Sequence, residues 1–577
     1  MTRLWNDPSD FADEMIDGFV AANARSVRRV TGGVVRSTVV PDGQVAVVIG
    51  GGSGHYPAFG GMVGQGLAHG AAMGNLFASP SAQQIHAVAK TADRGAGVFF
   101  SYGNYAGDVL NFDSAQERLR AEGIEASTVA VTDDISSASV AEKHKRRGIA
   151  GDLTVFRSAA AAAERGDDLA AVTAIAAKAN ERTRSFGVAF TGCTLPGAPE
   201  PLFTVPAGRM AVGLGIHGEQ GIDETGIPTA DELAALLVER LLAEVPDGIE
   251  VAGARVVPIL NGLGSLKYEE MFVVYRRIAQ LLADAGIEIV DPHVGEYCTS
   301  FDMAGTSLTL FWLDDELEQL WDTPVDAPAY RRGSVVAAAR SDEVDVASIE
   351  DVIVPGDAES QEVAQVVRAA LQTIVDTIDE HADELGRIDA IAGDGDHGIG
   401  MRRGSHAALA AGIHAVEAGA GARTTLARAA DAWSDKAGGT SGVLWGVILN
   451  AVAARLGDAG RPDAQAVASG IADGARGVQN HGKAEVGDKT MVDALVPFSS
   501  ELTTTVDGGG SLTNAWTTAA DAATRAAVAT ADLLPRMGRA RSHGEHAIGT
   551  PDPGAVSLAL IATAIGETLA TGKDTAS

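Results

Sequence analysis

The sequence predicts a two-part protein, in which an α/β part is followed by an all-α part. First, the chain has 577 residues, whereas single hydrophobic cores stop growing near ~250–300 residues. Second, short β-branched runs alternate with helical patterns up to about residue 320, which is typical of α/β folds. Third, helical patterns follow one another with almost no strand signal from residue 358 onward. We therefore predict an α/β part at 1–330, a linker at 331–355 and an all-α part at 356–577.

In the first part, short apolar runs predict buried strands, and the longer periodic segments between them predict helices. The predicted strands lie at 45–49, 97–100, 128–131, 186–190, 210–213 and 256–260, and the clearest helices at 82–91, 167–182 and 230–243. Two prolines between 323 and 333, followed by an aperiodic stretch at 335–348, indicate the linker.

The second part consists of helical segments that are separated by short glycine-rich breaks. They lie at 359–386, 402–418, 423–437, 441–455, 463–479, 487–503, 511–531 and 554–571. Eight consecutive helices of this kind predict a helical bundle or a helical barrel.

Composition argues against several classes of function. The net charge of −32 repels nucleic-acid backbones and anionic membranes, and the dense basic run at 143–147 is typical of a solvated loop or a substrate-side patch. Cys193 and Cys298 are the only cysteines, too few for a disulfide framework or a cysteine-based zinc site. No uninterrupted apolar stretch reaches the ~18 residues of a membrane helix. We expect a cytoplasmic protein without nucleic-acid or membrane partners.

The most distinctive motif of the second part is the acidic glycine loop Gly393-Asp-Gly-Asp-His-Gly. It formally matches the dinucleotide fingerprint G-x-G-x-x-G, but no predicted strand precedes it and its carboxylates would face a pyrophosphate. Asp389, Asp394 and Asp396 instead offer oxygen ligands around permissive glycines, which suits Mg²⁺ shared with substrate phosphates. An acidic loop in solvent is the alternative interpretation. We predict a metal site here.

Three further glycine motifs lie in the helical part. Gly438-Gly-Thr-Ser-Gly442 opens a helix, whose free N–H groups either bind an anion or are capped locally. The clusters at 482–491 and 538–554 are each typical of turns when taken singly. The sequence contains no Walker A pattern G-x-x-x-x-G-K-[ST], so any ATP site is of another type.

In the first part, three glycine-flanked polar motifs follow predicted strands. They contain His55 after Gly50–Gly54, Asp108 after Gly103 and Gly107, and His217 between two glycines. Ligands of α/β folds bind beyond the carboxyl ends of strands. Two imidazoles and a carboxylate there would supply a nucleophile or hydrogen-bonding pair and a general base. A ligand-free tight turn and a structurally satisfied histidine are the alternatives.

Seven motifs, in their order along the chain, resemble those of the ATP-dependent dihydroxyacetone kinase family. Each motif is weak alone, but the seven in register cover essentially the whole chain. They are Gly-Gly-Gly-Ser-Gly-His (50–55), Asn-Tyr-x-Gly-Asp-x-x-Asn-Phe (104–112), Gly-Ile-His-Gly-Glu (215–219), Gly-Asp-Gly-Asp-His-Gly (393–398), Gly-Gly-Thr-Ser-Gly (438–442), Gly-Asp-Lys-Thr-Met (487–491) and Asp-Pro-Gly-Ala (552–555).

This resemblance implies a ketose-binding K domain of two α/β lobes and an ATP-binding L domain that is a barrel of eight helices. It implies that His217 attaches covalently to the substrate ketone as a hemiaminal. It also implies that Asp108 is the general base at the phosphorylated hydroxyl and that His55 assists there. The implied substrate-binding residues are Gly52, Ser53, Gly54, His55, Gly103 and Asp108.

The resemblance further implies that ATP and Mg²⁺ bind the second part. Asp389, Asp394 and Asp396 would hold two Mg²⁺ ions that bridge the ATP phosphates. The implied nucleotide pocket comprises His397, Gly398, Thr440, Ser441, Gly482, Met491, Arg539, Asp552, Pro553 and Gly554. Phosphoryl transfer of this kind needs positioning and charge neutralisation rather than a protein nucleophile at phosphorus.

The chain departs from the family pattern around the sugar. The family typically reads His-Glu-Pro-Ala-His where this chain has His55-Tyr-Pro-Ala-Phe59, and it typically has Lys where this chain has Gly103. Without a lysine side chain beside Asp108, the pocket gains space and loses a charge. We therefore predict a slightly larger ketose such as the four-carbon erythrulose. An unchanged pocket for the three-carbon dihydroxyacetone is the alternative.

Other roles remain open at this point. A catalytically silent ketose-binding regulator would be expected to lose Asp108 or the metal carboxylates, which this chain keeps. A subunit fed by a phosphocarrier protein usually has its L domain on a separate chain. Some relatives also cyclise a flavin nucleotide. The family resemblance and the long linker imply a homodimer.

Overall fold

The computed structural model describes residues 4–341, 353–392, 395, 397–537 and 547–571. They belong to two compact units, residues 1–349 and 350–577. Each unit has a hydrophobic core of its own. The predicted order of an α/β part followed by an all-α part is confirmed.

The first sheet of the first unit is mixed and has six strands. These are β1 (Val27–Val30), β2 (Gly33–Arg36), β3 (Ala46–Ser53), β4 (Gly70–Leu76), β5 (Val98–Gly103) and β6 (Ala126–Val131). They lie in the order β1-β2-β4-β3-β5-β6. The pairs β1-β2 and β2-β4 are antiparallel, and the pairs β4-β3, β3-β5 and β5-β6 are parallel. Strands β3 and β5 are buried along their whole length, as expected for central parallel strands covered on both faces.

The second sheet has seven strands and is mainly antiparallel. These are β7 (Thr183–Ala189), β8 (Arg209–Val212), β9 (Asp223–Gly226), β10 (Arg255–Gly262), β11 (Glu288–Ile289), β12 (His293–Gly295) and β13 (Gly305–Trp312). The main path is β11-β10-β13-β7-β8-β9, and β12 also pairs with β10. A separate two-stranded ribbon is formed by β14 (Val325–Asp326) and β15 (Arg331–Arg332). The two larger sheets correspond to the two predicted lobes.

Eight helices in the described part of the first unit pack around these sheets. They are α1 (Phe11–Asn23), α2 (Ala82–Ala92), α3 (Ala106–Ala121), α4 (Asp152–Arg165), α5 (Leu169–Glu181), α6 (Ala230–Leu242), α7 (Tyr268–Asp284) and α8 (Asp315–Trp321). Helix α4 is the most deeply placed, since residues 152–163 are all buried. Its run of five alanines from Ala159 to Ala163 allows close packing, and it contacts β3, β5, α5 and α8. A helix that is buried on every side belongs in a core.

The second unit is a closed ring of helices. They are α9 (Ala358–Ala392), α10 (His397–Glu417), α11 (Ala422–Ala437), α12 (Gly439–Leu456), α13 (Ala464–Gly482), α14 (Val492–Asp507), α15 (Leu512–Ala529) and α16 (Pro553–Thr571). Each helix packs on the next along the chain, and α16 packs back on α9. The eight predicted helices are confirmed, and of the two predicted arrangements the ring corresponds to the barrel.

The two largest shifts in a helix start are equal in size: α10 is predicted from 402 but observed from His397, and α14 is predicted from 487 but observed from Val492. Lys489 has a φ of 61°, and the Asp493 carboxylate accepts hydrogen bonds from the N–H groups of Gly487 and Thr490. This side-chain capping holds 487–491 as a loop, because an aspartate near a helix start competes for the backbone donors.

Part of the predicted linker lies against the first unit. The N–H of Val39 donates to the carbonyl of Ala339, and that of Ser341 donates to the carbonyl of Ser37. Residues 331–341 therefore continue the first unit, whereas residues 342–352 lie outside the described residues. The domain limits themselves stay a prediction.

Two helices of the ring, α12 and α16, are long and apolar enough to cross a membrane by length and composition. Their 18-residue windows have mean hydropathies of 1.2 and 1.4, but 50% and 44% of the residues in these windows are buried within the ring. Apolar helices that build a protein core satisfy the same criteria, so the two helices are weak indicators of a membrane span.

Candidate active site

The first site motif is the glycine loop that continues β3 and ends at His55. A Cβ atom added at Gly52 would lie 2.7 Å from the backbone nitrogen of Ala78, and one added at Gly54 would lie 2.8 Å from the Phe77 ring. Gly54 also has a φ of +102°, which only glycine adopts readily. The glycines therefore let this loop lie directly against residues 77–78.

His55 and His217 form the centre of the site. Their Nε2 atoms are 3.0 Å apart, although the residues are 162 positions apart in the chain. His55 Nδ1 lies 2.8 Å from the carbonyl oxygen of Thr299; since a carbonyl only accepts, Nδ1 carries the proton and Nε2 is the acceptor toward His217. Burial, and then the charge of His217, lower the pKa of His55 to about 3. His55 is therefore a neutral base at neutral pH.

Glu219 orients His217 from the same loop. Its Oε1 lies 3.1 Å from His217 Nδ1, and its Oε2 accepts from the His217 backbone N–H at 3.0 Å. Burial alone would raise the pKa of Glu219, but the adjacent His217 and then Arg147 keep it below its usual range. Arg147 lies 3.6 Å from Glu219 and 3.0 Å from Asp134. A carboxylate that holds one ring nitrogen directs the other, Nε2, into the site.

Asp108 lies in the first turn of α3, just beyond the end of β5. It is 9% exposed, and its Oδ1 has no hydrogen-bond partner among the described residues. Burial raises its pKa to about 7, against an opposing hydrogen bond from the Ser79 hydroxyl. A carboxyl group with a pKa near the working pH suits a general base.

Aromatic rings fix the two histidines in place. The His55 ring stacks on Phe77 with centroids 4.9 Å apart. The His217 ring meets Phe77 and Tyr105 edge to face, at 5.3 Å and 4.5 Å. Apolar packing on several sides limits ring rotation and keeps bulk water from the imidazoles.

His55, Asp108, Tyr105 and His217 line one cavity. The predicted residues that it brings together are Gly52, His55, Gly103, Asp108 and His217. Ser53 and Gly54 line a neighbouring cavity, and the Ser53 hydroxyl donates to the Gly74 carbonyl at 2.7 Å. The substrate-binding roles assigned to these positions stay predictions.

Several residues of this site have no role assigned from the sequence. Tyr105 lies in the same motif as Asp108, and Glu219 in the same motif as His217. This proximity along the chain could have indicated that both belong to the site. Arg147 belongs to the basic run at 143–147, which is not simply a solvated loop: Arg146 is 1% exposed and pairs with Glu244. Asp152 also lines the cavity, and nothing in its local pattern distinguishes it from an ordinary acidic residue at a helix start.

In the second unit, the Asp389 side chain caps the start of helix α10. It is 8% exposed, and its Oδ2 accepts from the His397 N–H at 3.0 Å. His397 Nε2 is 3.0 Å from the Ser557 hydroxyl, which links α9, α10 and α16. The predicted Asp394, Asp396 and Arg539 lie outside the described residues.

Several predicted nucleotide residues gather near Asp389. A Cβ added at Gly554 would lie 3.2 Å from Met491 and 3.1 Å from Asp552. Burial raises the pKa of Asp552 to about 7, with further contributions from Asp493 and Asp389. Crowded carboxyl groups repel one another, so a hard cation with oxygen ligands fits this end of the ring.

The remaining predicted nucleotide residues lie at helix ends or starts. Gly398 is buried against the Ala382 carbonyl in the first turn of α10, and Pro553 is the first residue of α16. Thr440 and Ser441 lie in the first turn of α12, and Gly482 ends α13. The start of α12 offers free backbone N–H groups of the kind that bind phosphate. Among the described residues, no cluster of three metal-ligating side chains is present.

Family comparison agrees with this arrangement. The Dak1 domain matches residues 17–329 and the DAK2 domain matches residues 391–567. An L-erythrulose kinase of Pectobacterium atrosepticum is 59% identical over 570 residues, which cover 99% of this chain and 97% of that protein. A D-erythrulose kinase of Mycolicibacterium smegmatis is 52% identical over 573 residues, which cover 98% of each.

A solved structure extends the comparison to the fold. The crystal structure of the dihydroxyacetone kinase from C. freundii in complex with AMP-PNP and Mg²⁺ superposes with a TM-score of 0.52. The two sequences are 28% identical, and the match covers 98% of this chain and 99% of that chain. The Dak1 and DAK2 domains follow one another in this chain, and the two erythrulose kinases are more than half identical to it over nearly their whole length; the chain therefore belongs to the dihydroxyacetone kinase family, on the branch of the erythrulose kinases.

Proposed function

We propose that this protein transfers the γ-phosphoryl group of ATP to a hydroxyl group of a short-chain ketose, with erythrulose as the preferred substrate. The observation that carries the proposal is His217, which Glu219 holds at Nδ1 and which faces His55 in a cavity beside Asp108. The names of the two relatives support erythrulose over dihydroxyacetone.

In the first step, His217 binds the ketone covalently. The Nε2 proton of His217 first passes to neutral His55, whose Nε2 lies 3.0 Å away, and this leaves a lone pair on His217 Nε2. Nε2 then attacks the carbonyl carbon, an N–C bond forms, and the carbonyl π electrons move to oxygen. His55 returns the proton to the new alkoxide, and the Nδ1 proton moves to Glu219, which leaves a neutral hemiaminal. This bond selects carbonyl compounds and excludes glycerol, and it holds the hydroxyl groups in fixed positions.

In the second step, Asp108 removes the proton of the hydroxyl group that receives the phosphoryl group. Its buried and unpaired Oδ1 accepts that proton, while the new O–P bond forms and the O–P bond to the ADP leaving group breaks. The protein then acts through positioning and charge neutralisation.

Mg²⁺ would neutralise the ATP phosphates, as it does in phosphoryl transfer generally. Asp389, with Asp394 and Asp396, would hold it, and we propose two ions. The remaining predicted residues of the second unit would form the nucleotide pocket, in which the start of α12 offers N–H groups to a phosphate. A mechanism with ATP is favoured over a phosphocarrier protein because both domains share one chain.

The regulator alternative has little in its favour. A ketose-binding regulator needs no general base, yet Asp108 is present with a raised pKa in the cavity. We also propose that the protein is cytoplasmic and that it forms a homodimer. Sedimentation analysis at several protein concentrations would test the homodimer.

A coupled assay for ADP release tests the main proposal. D-erythrulose, L-erythrulose and dihydroxyacetone are supplied in turn with Mg-ATP, and one erythrulose enantiomer is expected to give the highest kcat/KM. His217→Ala should abolish turnover, and intact-mass spectrometry should show loss of the sugar adduct. A clear preference for dihydroxyacetone would refute the choice of substrate, and an adduct that survives His217→Ala would refute the covalent step.

A further inference from the structure

A second buried carboxyl group, Asp152, lies in the wall of the cavity and has no part in the two steps above. It is the first residue of α4 and is 2% exposed. Its Oδ1 has no hydrogen-bond partner among the residues that the structure describes. A buried polar atom without a partner costs about 1–3 kcal/mol, and the fold keeps this one in a cavity that is open to a ligand.

Two glycines pack closely against each other in front of Asp152, so no side chain covers its carboxyl group. A Cβ added at Gly148 would lie 2.5 Å from the Gly103 Cα and 2.8 Å from Asp152 Oδ1. The Tyr105 hydroxyl donates to the Gly148 carbonyl at 2.9 Å, which fixes the wall of this recess. Gly103, Gly148 and Asp152 therefore form a rigid recess beside His217 and Asp108.

The charges around the recess select an uncharged ligand. Among the described residues, no lysine or arginine lines the cavity. Burial, followed by the charges of Asp133 and Asp108, raises the pKa of Asp152 well above its ordinary range. A neutral carboxyl group donates one hydrogen bond and accepts others, which matches a hydroxyl group and disfavours a phosphate.

The groups that act in the reaction already account for the carbonyl and one hydroxyl. His217 bonds to the ketone carbon, and Asp108 accepts the proton of the hydroxyl group that receives the phosphoryl group. Both features are present in a three-carbon ketose as well as in a longer one. Dihydroxyacetone carries one more hydroxyl group, on a carbon next to the carbonyl. Erythrulose extends one carbon further and carries an additional hydroxyl group there, for which the recess at Asp152 is available.

We propose that Asp152 determines substrate specificity, by hydrogen-bonding a hydroxyl group on the part of a four-carbon ketose that a three-carbon ketose lacks. This inference rests on the proposed function, since it concerns the same cavity. It adds a residue and an interaction that distinguish the two substrates, whereas His217 and Asp108 treat them alike.

The test compares two variants of nearly the same shape. Asp152→Leu fills the same space without hydrogen bonds, and Asp152→Asn keeps a donor and an acceptor. Calorimetry without ATP gives the Kd of erythrulose and of dihydroxyacetone, and the coupled assay gives kcat/KM. For Asp152→Leu we expect Kd and KM for erythrulose to rise at least tenfold, with a change of less than threefold for dihydroxyacetone. Asp152→Asn should recover most of the lost affinity.

Asp133→Asn is the matched control. The Asp133 carboxylate accepts from the N–H groups of Ile149 and Gly151 at 2.9 and 2.8 Å, so it shapes the same loop from outside the cavity lining. The charge of Asp133 also acts on Asp152, but Asp133→Asn keeps the Asp152 carboxyl group, so this variant should change the affinity for both ketoses by the same factor. Should Asp152→Leu fail to fold, Asp152→Ala takes its place in the comparison.

The outcomes separate this inference from the proposed function. An equal loss of affinity for both ketoses, or no loss, would overturn the role of Asp152 and leave the kinase intact. Wild-type protein that binds erythrulose without releasing ADP would overturn the kinase, while an Asp152-dependent Kd would still uphold the inference. Wild-type protein that binds neither ketose would overturn both.

Discussion

Replacing Asp108 by asparagine should increase stability while it removes activity. The pKa of Asp108 is about 7 in the folded protein, against an ordinary value of 3.8. The unfolded chain therefore releases this proton at lower pH than the folded protein. The protonated Asp108 therefore adds to the free energy of unfolding of the wild type. This contribution is fully present below the unfolded pKa of 3.8 and is lost as the pH rises through the folded pKa of about 7.

The magnitude follows from the shift. About three pKa units correspond to roughly 4 kcal/mol at 1.36 kcal/mol per unit, as an upper bound for this 9% exposed residue. The asparagine side chain has no proton to release, so the Asp108→Asn variant does not lose this stability. The entropy of unfolding is about 2.1 cal/mol/K per residue. The first unit, residues 1–349, therefore unfolds with an entropy of roughly 0.7 kcal/mol/K. The variant should thus melt about 6 °C higher than the wild type at pH 8, and about 2 °C higher at pH 5.

Differential scanning calorimetry of the full chain at several pH values between about 4.5 and 8 measures this difference. Asp42→Asn, at an exposed carboxylate of the same unit, controls for the loss of a charge alone. The coupled assay should show a roughly 10²- to 10⁴-fold lower kcat. A melting-temperature difference that stays constant or shrinks with rising pH would refute the assignment of a buried, destabilising carboxyl group.

Three other changes test separate parts of the site. Glu219→Gln should lower kcat/KM about 10- to 100-fold, because it removes a charged hydrogen bond to His217 worth about 1.5–3 kcal/mol; unchanged kinetics in the coupled assay would contradict this. Asp389→Asn should weaken Mg-AMP-PNP binding in calorimetry while the Kd of erythrulose stays the same, and weakening of both would indicate a general folding defect. Gly54→Ala should cost about 1–3 kcal/mol of stability, because its φ is +102° and the Phe77 ring is in the way; the control Gly226→Ala has open space around it and should melt like the wild type.

Much of the fold could be predicted because local patterns determine it. Glycine breaks separate the eight helices of the ring, and short β-branched runs mark the buried strands. The closing contact between α9 and α16 joins segments about 200 positions apart, which no local pattern contains. The prediction of helix at 487–491 is wrong because the capping by Asp493 depends on side-chain geometry rather than on periodicity.

The site could be predicted only where its residues stand in motifs. His55, Asp108 and His217 each follow a strand, but β8 belongs to a different sheet from β3 and β5. Their meeting therefore depends on how two sheets pack, and only the family resemblance anticipated it. Asp152 starts an alanine-rich helix, where acidic residues are common for electrostatic reasons, so its position in the cavity was invisible in the sequence.

The polar atoms in and around the cavity divide into two groups by their hydrogen bonds, and this division indicates what the substrate must offer. His55 and Glu219 have protein partners that set which nitrogen carries a proton, so they prepare His217 before a ligand arrives. Oδ1 of Asp108 and Oδ1 of Asp152 have none among the described residues, and each buried oxygen costs stability until it is paired. A ketose that reacts with His217, presents one hydroxyl group to Asp108 and extends a further hydroxyl group to Asp152 would satisfy both oxygens. Glycerol lacks the carbonyl that anchors it, and a three-carbon ketose would leave Asp152 unpaired, so the cost of burying both carboxyl groups is recovered in full only with the longer ketose.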